Sequence, residues 1–361
     1  MNVRYMNVGY MSVRHTNVRQ HERHGDARCL KVSFAPMDHR SQSRLNGLCG
    51  YVVDRVTHLR KDTGWLAARL ADPASRVVPV WRSRNLIHVG DDLSAVMLSS
   101  EQAGELLALA ETVVLLGEDE GIAYFAASVS AQENDLHVRL SMLGEFRDLR
   151  DTAALLPARE GTLLAHARAM MFWHQTHQHC GSCGAPTRLK EAGHSRVCTN
   201  EDCKRSVYPR TDPAVIVSVG RYDRLLLGRK PDWPAGRFST VAGFVEPGET
   251  LEEAVAREVK EETGIVCAEV TYHSSQPWPF PSSIMLGFHA EASTDEITVD
   301  TTELDDARWF TRAQMMDGLL SGSFLLPRSL SISFRLIEDW FDAGRPAGMP
   351  TLRELGAGRT W

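Results

Sequence analysis

The sequence has no apolar run approaching the ~20 residues that a membrane-spanning helix needs, which excludes an integral helical membrane protein. It also lacks the continuous apolar stretch of a secretory signal peptide. Met1 to Gln20 reads MNVRY-MNVGY-MSVRH-TNVRQ, a degenerate five-residue repeat, and polar sequence follows to about Arg44. Residues 1–44 are expected to be a disordered tail or an over-extended translation start without a function of their own. Excess positive charge is missing too. A net charge of −6 argues against binding nucleic acid mainly by neutralising phosphates, while leaving a local basic patch open. Cysteine is scarce: of seven, Cys180, Cys183, Cys198 and Cys203 fall within one short stretch, and Cys29, Cys49 and Cys267 are scattered. An odd, clustered set suits a reducing compartment and a metal site better than a secreted disulfide framework, so a cytoplasmic location is expected.

At 361 residues the chain can hold two or three domains, each with its own core. Short β-rich runs at Val77 to Trp81, Leu86 to Val89, Ala95 to Leu98, Thr112 to Leu116 and Ile122 to Ala126 predict a first α+β module over 45–157. Within it, Ser99 and Gln102 have the spacing of a capping box ahead of Leu106, Leu107 and Leu109. Leu163, Leu164, Ala167, Met170 and Met171 then mark one apolar face of a connecting helix over 158–178. Strands at Ala214 to Val219, Arg224 to Arg229, Ile284 to Ala290 and Asp306 to Phe310 predict a second α+β module over 211–345. Its helices are expected at Thr250 to Thr263 and Ser331 to Phe341, with 346–361 a loose C-terminal tail.

Between the modules, over 179–210, the pattern is Cys180-x2-Cys183, fourteen residues, then Cys198-x4-Cys203. Thiolates two to four residues apart can close a turn on one Zn²⁺, and two such turns complete a tetrahedral site. Two disulfides or four unrelated thiols are the competing reading. A closed four-thiolate shell leaves no open position for water, so one structural zinc per chain is expected. His174, His177 and His179 stand just upstream as less favoured ligands. Arg188, Lys190, Arg196, Lys204, Arg205 and Arg210 make the region somewhat basic, which is either a solvated face or a contact for an anion.

The segment Gly243 to Ile265 reads GFVEPGETLEEAVAREVKEETGI. Thr250 and Glu253 fit a capping box, and Gly264 fits a C-terminal cap. With Leu251 at zero on a helical wheel, the apolar Ala254, Val255 and Val259 fall between about 300° and about 80°. Glu258, Glu262 and Glu261 fall near about 340°, 20° and 280°, inside or beside that arc, whereas Arg257 and Thr263 fall on the solvent side. Carboxylates crowded on one face repel one another unless a cation joins them. Oxygen donors of this kind select Mg²⁺ or Mn²⁺, which suits phosphoryl chemistry.

A second unusual stretch, SQPWPFPSS, covers Ser275 to Ser283 and alternates proline with large rings. Proline opposes both helix and central strand, so a stiff loop is expected. Trp278 and Phe280 either plug that loop onto a core or are displayed to a ligand.

Gly243, Glu249 after a five-residue gap, and Arg257 to Ile265 match every position of the Nudix box, G-x5-E-x7-R-E-U-x-E-E-x-G-U with U aliphatic. The chain therefore resembles the Nudix hydrolases. A zinc ribbon before the box and SQPWPFP about ten residues after it narrow the resemblance to the NADH pyrophosphatase subfamily, from about Arg159 to Trp340, with weaker similarity in the first module. The resemblance implies an α+β protein: a Nudix αβα sandwich preceded by the zinc ribbon and a Nudix-like module. It implies hydrolysis of NADH or NAD⁺ to AMP and nicotinamide mononucleotide, with the NAD cap of RNA as the alternative substrate. An inactive Nudix-type regulator is the rival from another class. By the same resemblance Glu258, Glu261, Glu262 and the more distant Glu303 hold the catalytic Mg²⁺ or Mn²⁺, and Arg257 belongs to the catalytic set by orienting a box glutamate. Tyr208, Ala242, Phe244, Gln276, Pro277, Trp278, Pro279, Phe280, Pro281, Ser282, Ser283 and Ser333 become substrate contacts. A homodimer is implied as well.

Overall fold

Where the sequence alternates large apolar and polar side chains it forms strands, and where apolar side chains recur every three to four residues it forms helices that cover them. The computed structural model describes residues 38–51, 53–129 and 135–356. The N-terminal repeat lies outside the described residues. The expected tail nevertheless ends before Arg44, because His39–Arg44 form a helix, α1, with Asp38 as its N-cap. The polar side chains of this region find partners on a strand edge more than 200 residues away: Ser275 N–H donates to Ser43 Oγ, and Asn46 Nδ2 donates to the Ser275 carbonyl.

Helix α2 (Thr63–Ala71) precedes strands β1 (Arg76–Trp81), β2 (Arg84–His88), β3 (Ser94–Ala95) and β4 (Leu98–Ser99). The predicted strand Ala95 to Leu98 is thus split into two short pieces. Ser99 and Gln102 do bond reciprocally, just ahead of α3 (Gly104–Leu109). After β5 (Val113–Asp119) and β6 (Ile122–Ser128) come α4 (Asp135–Ser141), β7 (Glu145–Arg147), α5 (Leu149–Thr152) and the long helix α6 (Ala158–Thr176). Among the described residues these strands make one sheet of order β3-β2-β1-β6-β5, in which only β1 and β6 run parallel and β4 and β7 pair with β1 and β2. Leu163, Leu164, Ala167, Met170 and Met171 of α6 pack on one face, and Leu106, Leu136 and Leu140 of α3 and α4 on the other.

Strands β8 (Thr187–Lys190), β9 (Ser195–Cys198) and β10 (Ser206–Val207) form a small antiparallel ribbon. The second module holds β11 (Asp212–Arg221), β12 (Arg224–Arg229), β13 (Val241–Phe244), α7 (Leu251–Thr263), β14 (Cys267–Trp278), β15 (Ser283–Ala292), β16 (Asp306–Thr311), α8 (Arg312–Ser321) and α9 (Ile332–Ala343). The sheet order is β14-β15-β11-β12-β16, with β13 on β11 and β11 parallel to β15. Period-two alternation sends Val215, Val217, Val219 and Leu226 to α7, and Ile216, Leu225 and Leu227 to α8 and α9. The result is the expected αβα sandwich. Helix α8 carries its own capping box, Thr311 with Gln314, which sequence reading passed over.

Two expectations need correction. The C-terminal stretch is not loose throughout, because α10 (Leu352–Gly356) docks with Leu352 fully buried, and Leu352 N–H donates to Asp342. SQPWPFPSS is not all loop: β14 runs through Pro277 to Trp278. Because β14 is the sheet's edge strand, it pairs with β15 on one side only, so proline's missing N–H costs no ladder bond on the open side.

Candidate active site

Helix α7 is fixed at both ends by its sequence. Thr250 accepts from the Glu253 N–H while the Glu253 carboxylate accepts from the Thr250 N–H, and Gly264 closes the C-terminus at φ 72°. Glu258 and Glu262 are buried, as the wheel requires. Glu261 is exposed, its carboxylate held instead by Arg257 one turn back. Thr263, expected in solvent, is fully buried because the 298–300 segment folds over the helix end, where Thr298 N–H donates to the Thr263 carbonyl and Asp300 N–H to that of Glu262.

Arg257 spends every guanidinium donor inside this motif. Nε and Nη2 form a fork on Glu249 at 2.6 and 3.0 Å, Nη1 donates to Glu258 and Glu261 at 2.9 Å each, and Nη2 also donates to the Phe244 carbonyl at 2.9 Å. The arginine assigned to the catalytic set for orienting a box glutamate therefore has no donor left over for a substrate. Its hydrogen bonds also hold Glu249 below the usual carboxylate range.

The two buried carboxylates are shifted the other way. Burial raises Glu258, and the neighbouring Glu261 and Glu303 add to this against the pull of Arg257. Burial also pushes Glu262 up to about 7, with Lys230 opposing and Glu258, Glu303 and Asp300 reinforcing the shift. Carboxylates driven toward protonation by burial and by one another are an oxygen donor set of the kind that a hard divalent cation would stabilise.

Glu262 lines a chamber of ≈ 170 Å³ together with Lys230, Trp233, Thr240, Ala242 and Ser333. Ser333 is buried, its hydroxyl shared between the hydroxyls of Ser239 and Thr240 at 2.8 Å each. The chamber adjoins a basin of ≈ 500 Å³, and Trp233, Ser239 and Ser331 line both. Trp278 lines the basin, so of the two rings in SQPWPFPSS it is the displayed one.

Phe280 is the plug. It is buried in the first module's core, edge-on to Trp278 with ring centres 5.0 Å apart, and between the guanidinium groups of Arg150 and Arg168 at 4.8 and 4.9 Å. Arg168 also donates to the Pro279 carbonyl. Gln276, assigned to substrate, is fully buried and committed elsewhere: its Nε2 donates to the Gly47 and Leu330 carbonyls and its Oε1 accepts from Ile332 N–H. Pro277, Pro279, Ser282 and Ser283 line a separate cavity against α6, where Ser282 donates to Asp212. Pro281 is exposed. Tyr208 and Phe244 stand 60% and 61% exposed and line neither chamber nor basin. Sequence reading missed Lys230 and Trp233 of the chamber and Arg237 and Arg328 of the basin wall. A signal for the second was present, since PDWPAG also sets a tryptophan between prolines.

The four cysteine sulfurs all lie within 4.8 Å of one another, with Cys180 and Cys203 at 3.8 Å and Cys183 and Cys198 at 3.4 Å. A tetrahedron with Zn–S bonds of ~2.3 Å has edges of about 3.8 Å, so one Zn²⁺ fits. The longer second knuckle closes as the first does. Gly184 N–H donates to the Cys180 carbonyl and Lys204 N–H to that of Asn200, and both donor residues have left-handed backbones. Cys198 simply joins the turn two residues earlier. His174 is not a ligand: it is buried, bonded to the Gly193 carbonyl and to Arg196. Arg196 is accordingly buried rather than part of a solvated face, unlike Arg188, Lys190, Lys204, Arg205 and Arg210.

Three family models match the chain: an NADH pyrophosphatase-like rudimentary NUDIX domain over 74–173, an NADH pyrophosphatase zinc ribbon domain over 175–208 and a NUDIX domain over 209–324. The chain is 36% identical over 331 residues to the NAD-capped RNA hydrolase NUDT12 of Macaca fascicularis, covering 80% of this chain and 72% of that protein. It is 36% identical over 305 residues to the NAD-capped RNA hydrolase NudC of Mycobacterium bovis, covering 80% and 92%. To the human mitochondrial NAD(P)H pyrophosphatase NUDT13 it is 35% identical over 263 residues, covering 66% and 74%.

Proposed function

Because the chain belongs to the NADH pyrophosphatase subfamily of the Nudix hydrolases, we propose that it hydrolyses the diphosphate of NADH or NAD⁺ to AMP and nicotinamide mononucleotide. One observation carries this reading: a fully engaged Arg257 holds Glu258 in place while Glu262, buried on the same helix, lines a chamber that shares Trp233, Ser239 and Ser331 with the Trp278-lined basin.

Glu258, Glu261, Glu262 and Glu303 would hold Mg²⁺ or Mn²⁺. When bound, such a cation supplies neutralisation of the diphosphate and acidification of water. The chain's own residues do the rest. Arg257 keeps Glu258 and Glu261 from swinging apart. Lys230 lines the chamber beside Glu262 and adds a positive charge against phosphate oxygens. Trp278 offers a ring face to a heteroaromatic base. The NAD cap of RNA presents the same bond, and the names of two relatives keep that second reading open.

The zinc is structural in this reading, and the division into tail, first module, connecting helix, ribbon and Nudix domain follows 1–44, 45–157, 158–178, 179–210 and 211–345, except that the tail ends before α1 and the C-terminal stretch docks as α10. A homodimer is proposed from the family resemblance; light scattering tests it. We place the reaction in the cytoplasm, in keeping with an odd, clustered cysteine set; no helix among the described residues is long and apolar enough to cross a membrane.

The deciding experiment incubates the protein with NADH and Mg²⁺ or Mn²⁺ and separates the products. Equal amounts of AMP and reduced nicotinamide mononucleotide are expected, and Glu262→Gln should abolish them while leaving the fold intact. Full turnover by that variant would remove the assignment.

A further inference from the structure

The stretch Ser43 to Leu48 precedes every strand of both modules, and Ser43 falls within the segment expected to have no function of its own. Its polar groups nevertheless bond to the second module. Ser275 N–H donates to Ser43 Oγ at 3.0 Å, and the buried Asn46 donates through Nδ2 to Ser274 Oγ at 3.0 Å and to the Ser275 carbonyl at 2.9 Å. Because β14 is an edge strand, these side chains satisfy backbone groups that no neighbouring strand claims.

Gly47 carries the connection on toward the basin. Its carbonyl accepts from Gln276 Nε2 at 2.8 Å, the same nitrogen donates to the Leu330 carbonyl at 2.6 Å, and Gln276 Oε1 accepts from Ile332 N–H at 2.8 Å. One fully buried amide thus ties residue 47, strand β14 and the 330–332 segment together. Gly47 also meets that segment directly: a Cβ on it would lie 2.5 Å from the Leu330 carbonyl oxygen and 3.1 Å from the Leu330 Cα. Leu48 follows with a left-handed backbone at φ 61°, uncommon for a leucine, and is buried in one cluster with Leu330 and Phe280, against which Trp278 packs. The far ends of these ties are walls. Trp278 ends β14 two residues after Gln276 and lines the basin with Leu330 and Ser331, and Ser331 and Ser333 line the chamber. Residues 43–48 themselves line neither space.

We propose that Ser43, Asn46 and Gly47 form a strap of positioning residues: acting through Gln276, they fix the Leu330–Ser331 wall relative to Trp278 and so set the affinity for the substrate without touching it. This inference rests on the dinucleotide reading above and deepens it. A contact that merely supports the fold lowers stability and leaves substrate affinity alone. A contact that places a binding wall acts on ground state and transition state alike, so its loss raises KM while kcat holds.

The test compares full-length, zinc-loaded Gly47→Ala and Asn46→Ala with Leu106→Ala, which opens a cavity in the first module's other core cluster. Two quantities are read: hydrogen exchange over 328–333 by mass spectrometry, with α7 as the internal reference, and kcat and KM for NADH with Mg²⁺. Both strap variants should speed exchange over 328–333 about tenfold and leave α7 unchanged, the scale of one lost buried hydrogen bond. They should also raise KM about tenfold with kcat within about twofold. Leu106→Ala should lower Tm and move neither quantity. Unchanged exchange over 328–333 in the strap variants overturns the proposal, and so does a KM no higher than that of Leu106→Ala, or a fall in kcat at constant KM. Asn46→Ala only removes atoms, and it decides the matter where the Gly47→Ala methyl prevents folding. If the unaltered protein does not hydrolyse NADH, the proposed function is lost, while exchange, which needs no substrate, still judges the coupling.

Discussion

Gly243 lies directly against the carboxylate of Glu258, so close that a methyl group on its α-carbon would overlap Cδ and both oxygens. The invading atom would meet the far end of a flexible side chain rather than backbone. The first glycine of the Nudix box is thus explained by space: it vacates the volume that Glu258 occupies under the hold of Arg257.

From that contact, Gly243→Ala should leave the fold within ~1 kcal/mol of the original, because Glu258 can swing away. Turnover of NADH should nonetheless fall on the order of 100-fold, the scale of a misplaced reacting group. Thermal melting paired with kcat/KM reads both quantities. A variant of unchanged activity would mean that Glu258 need not stay where it is.

The two rings of SQPWPFPSS should separate in mutants. Phe280→Ala removes a core side chain and should cost about 3–5 kcal/mol of stability. Trp278→Ala, at the half-buried basin wall, should cost less stability and act mainly by raising KM for NADH. Urea denaturation and steady-state kinetics on both variants distinguish these outcomes, and interchange of the two effects would refute the division of labour.

Removing zinc should unfold the ribbon and reach further. Arg196 and His174 link β8, β9 and α6 through buried hydrogen bonds, so loss of the knuckles loosens the helix that carries the first module's core. After chelation a lowered Tm is expected. Mg²⁺ alone should not restore activity, whereas Zn²⁺ with Mg²⁺ should. Full recovery on Mg²⁺ would show the ribbon to be dispensable.

Acid should destabilise the protein well above the range in which ordinary carboxylates titrate. Burial lowers His174, His194 and His289 to about 4 each from 6.5. The unfolded chain therefore binds more protons between those values, and stability is complete above about 6.5 and declines as pH falls toward 4. Each group contributes up to about 3 kcal/mol over that window. Glu262, raised to about 7, acts in the opposite sense in the absence of a cation, so urea midpoints at pH 7.5 and 5 should be compared with Mg²⁺ present. A midpoint that does not fall would contradict the burial of these rings.

Helix α7, its two caps and the inward turn of Glu258 and Glu262 were legible because they depend on spacing within one short stretch, the thirteen helical residues and a cap at either end. The wheel failed at Thr263 for an equally definite reason: a segment 35 residues later covers it, and periodicity along one helix carries no information about a cover supplied from elsewhere. Proline alternation announced stiffness in SQPWPFPSS but not that β14 would be an edge strand able to accept Pro277, since edge position is a property of sheet order.

The sequence by itself determined the local devices: the capped carboxylate helix, two cysteine knuckles able to hold one zinc, and the alternating strands of two α+β modules. Tertiary structure alone decided what those devices face. It made Phe280 a plug and Trp278 a wall, turned Gln276 into a cross-tie, and gathered Trp233 and Arg237 of one loop with Arg328 of another into one basin. The physical reason is range. Helical and strand periodicity fix the direction of a side chain, whereas burial, charge neighbours and cavity shape depend on chain segments that meet only after folding.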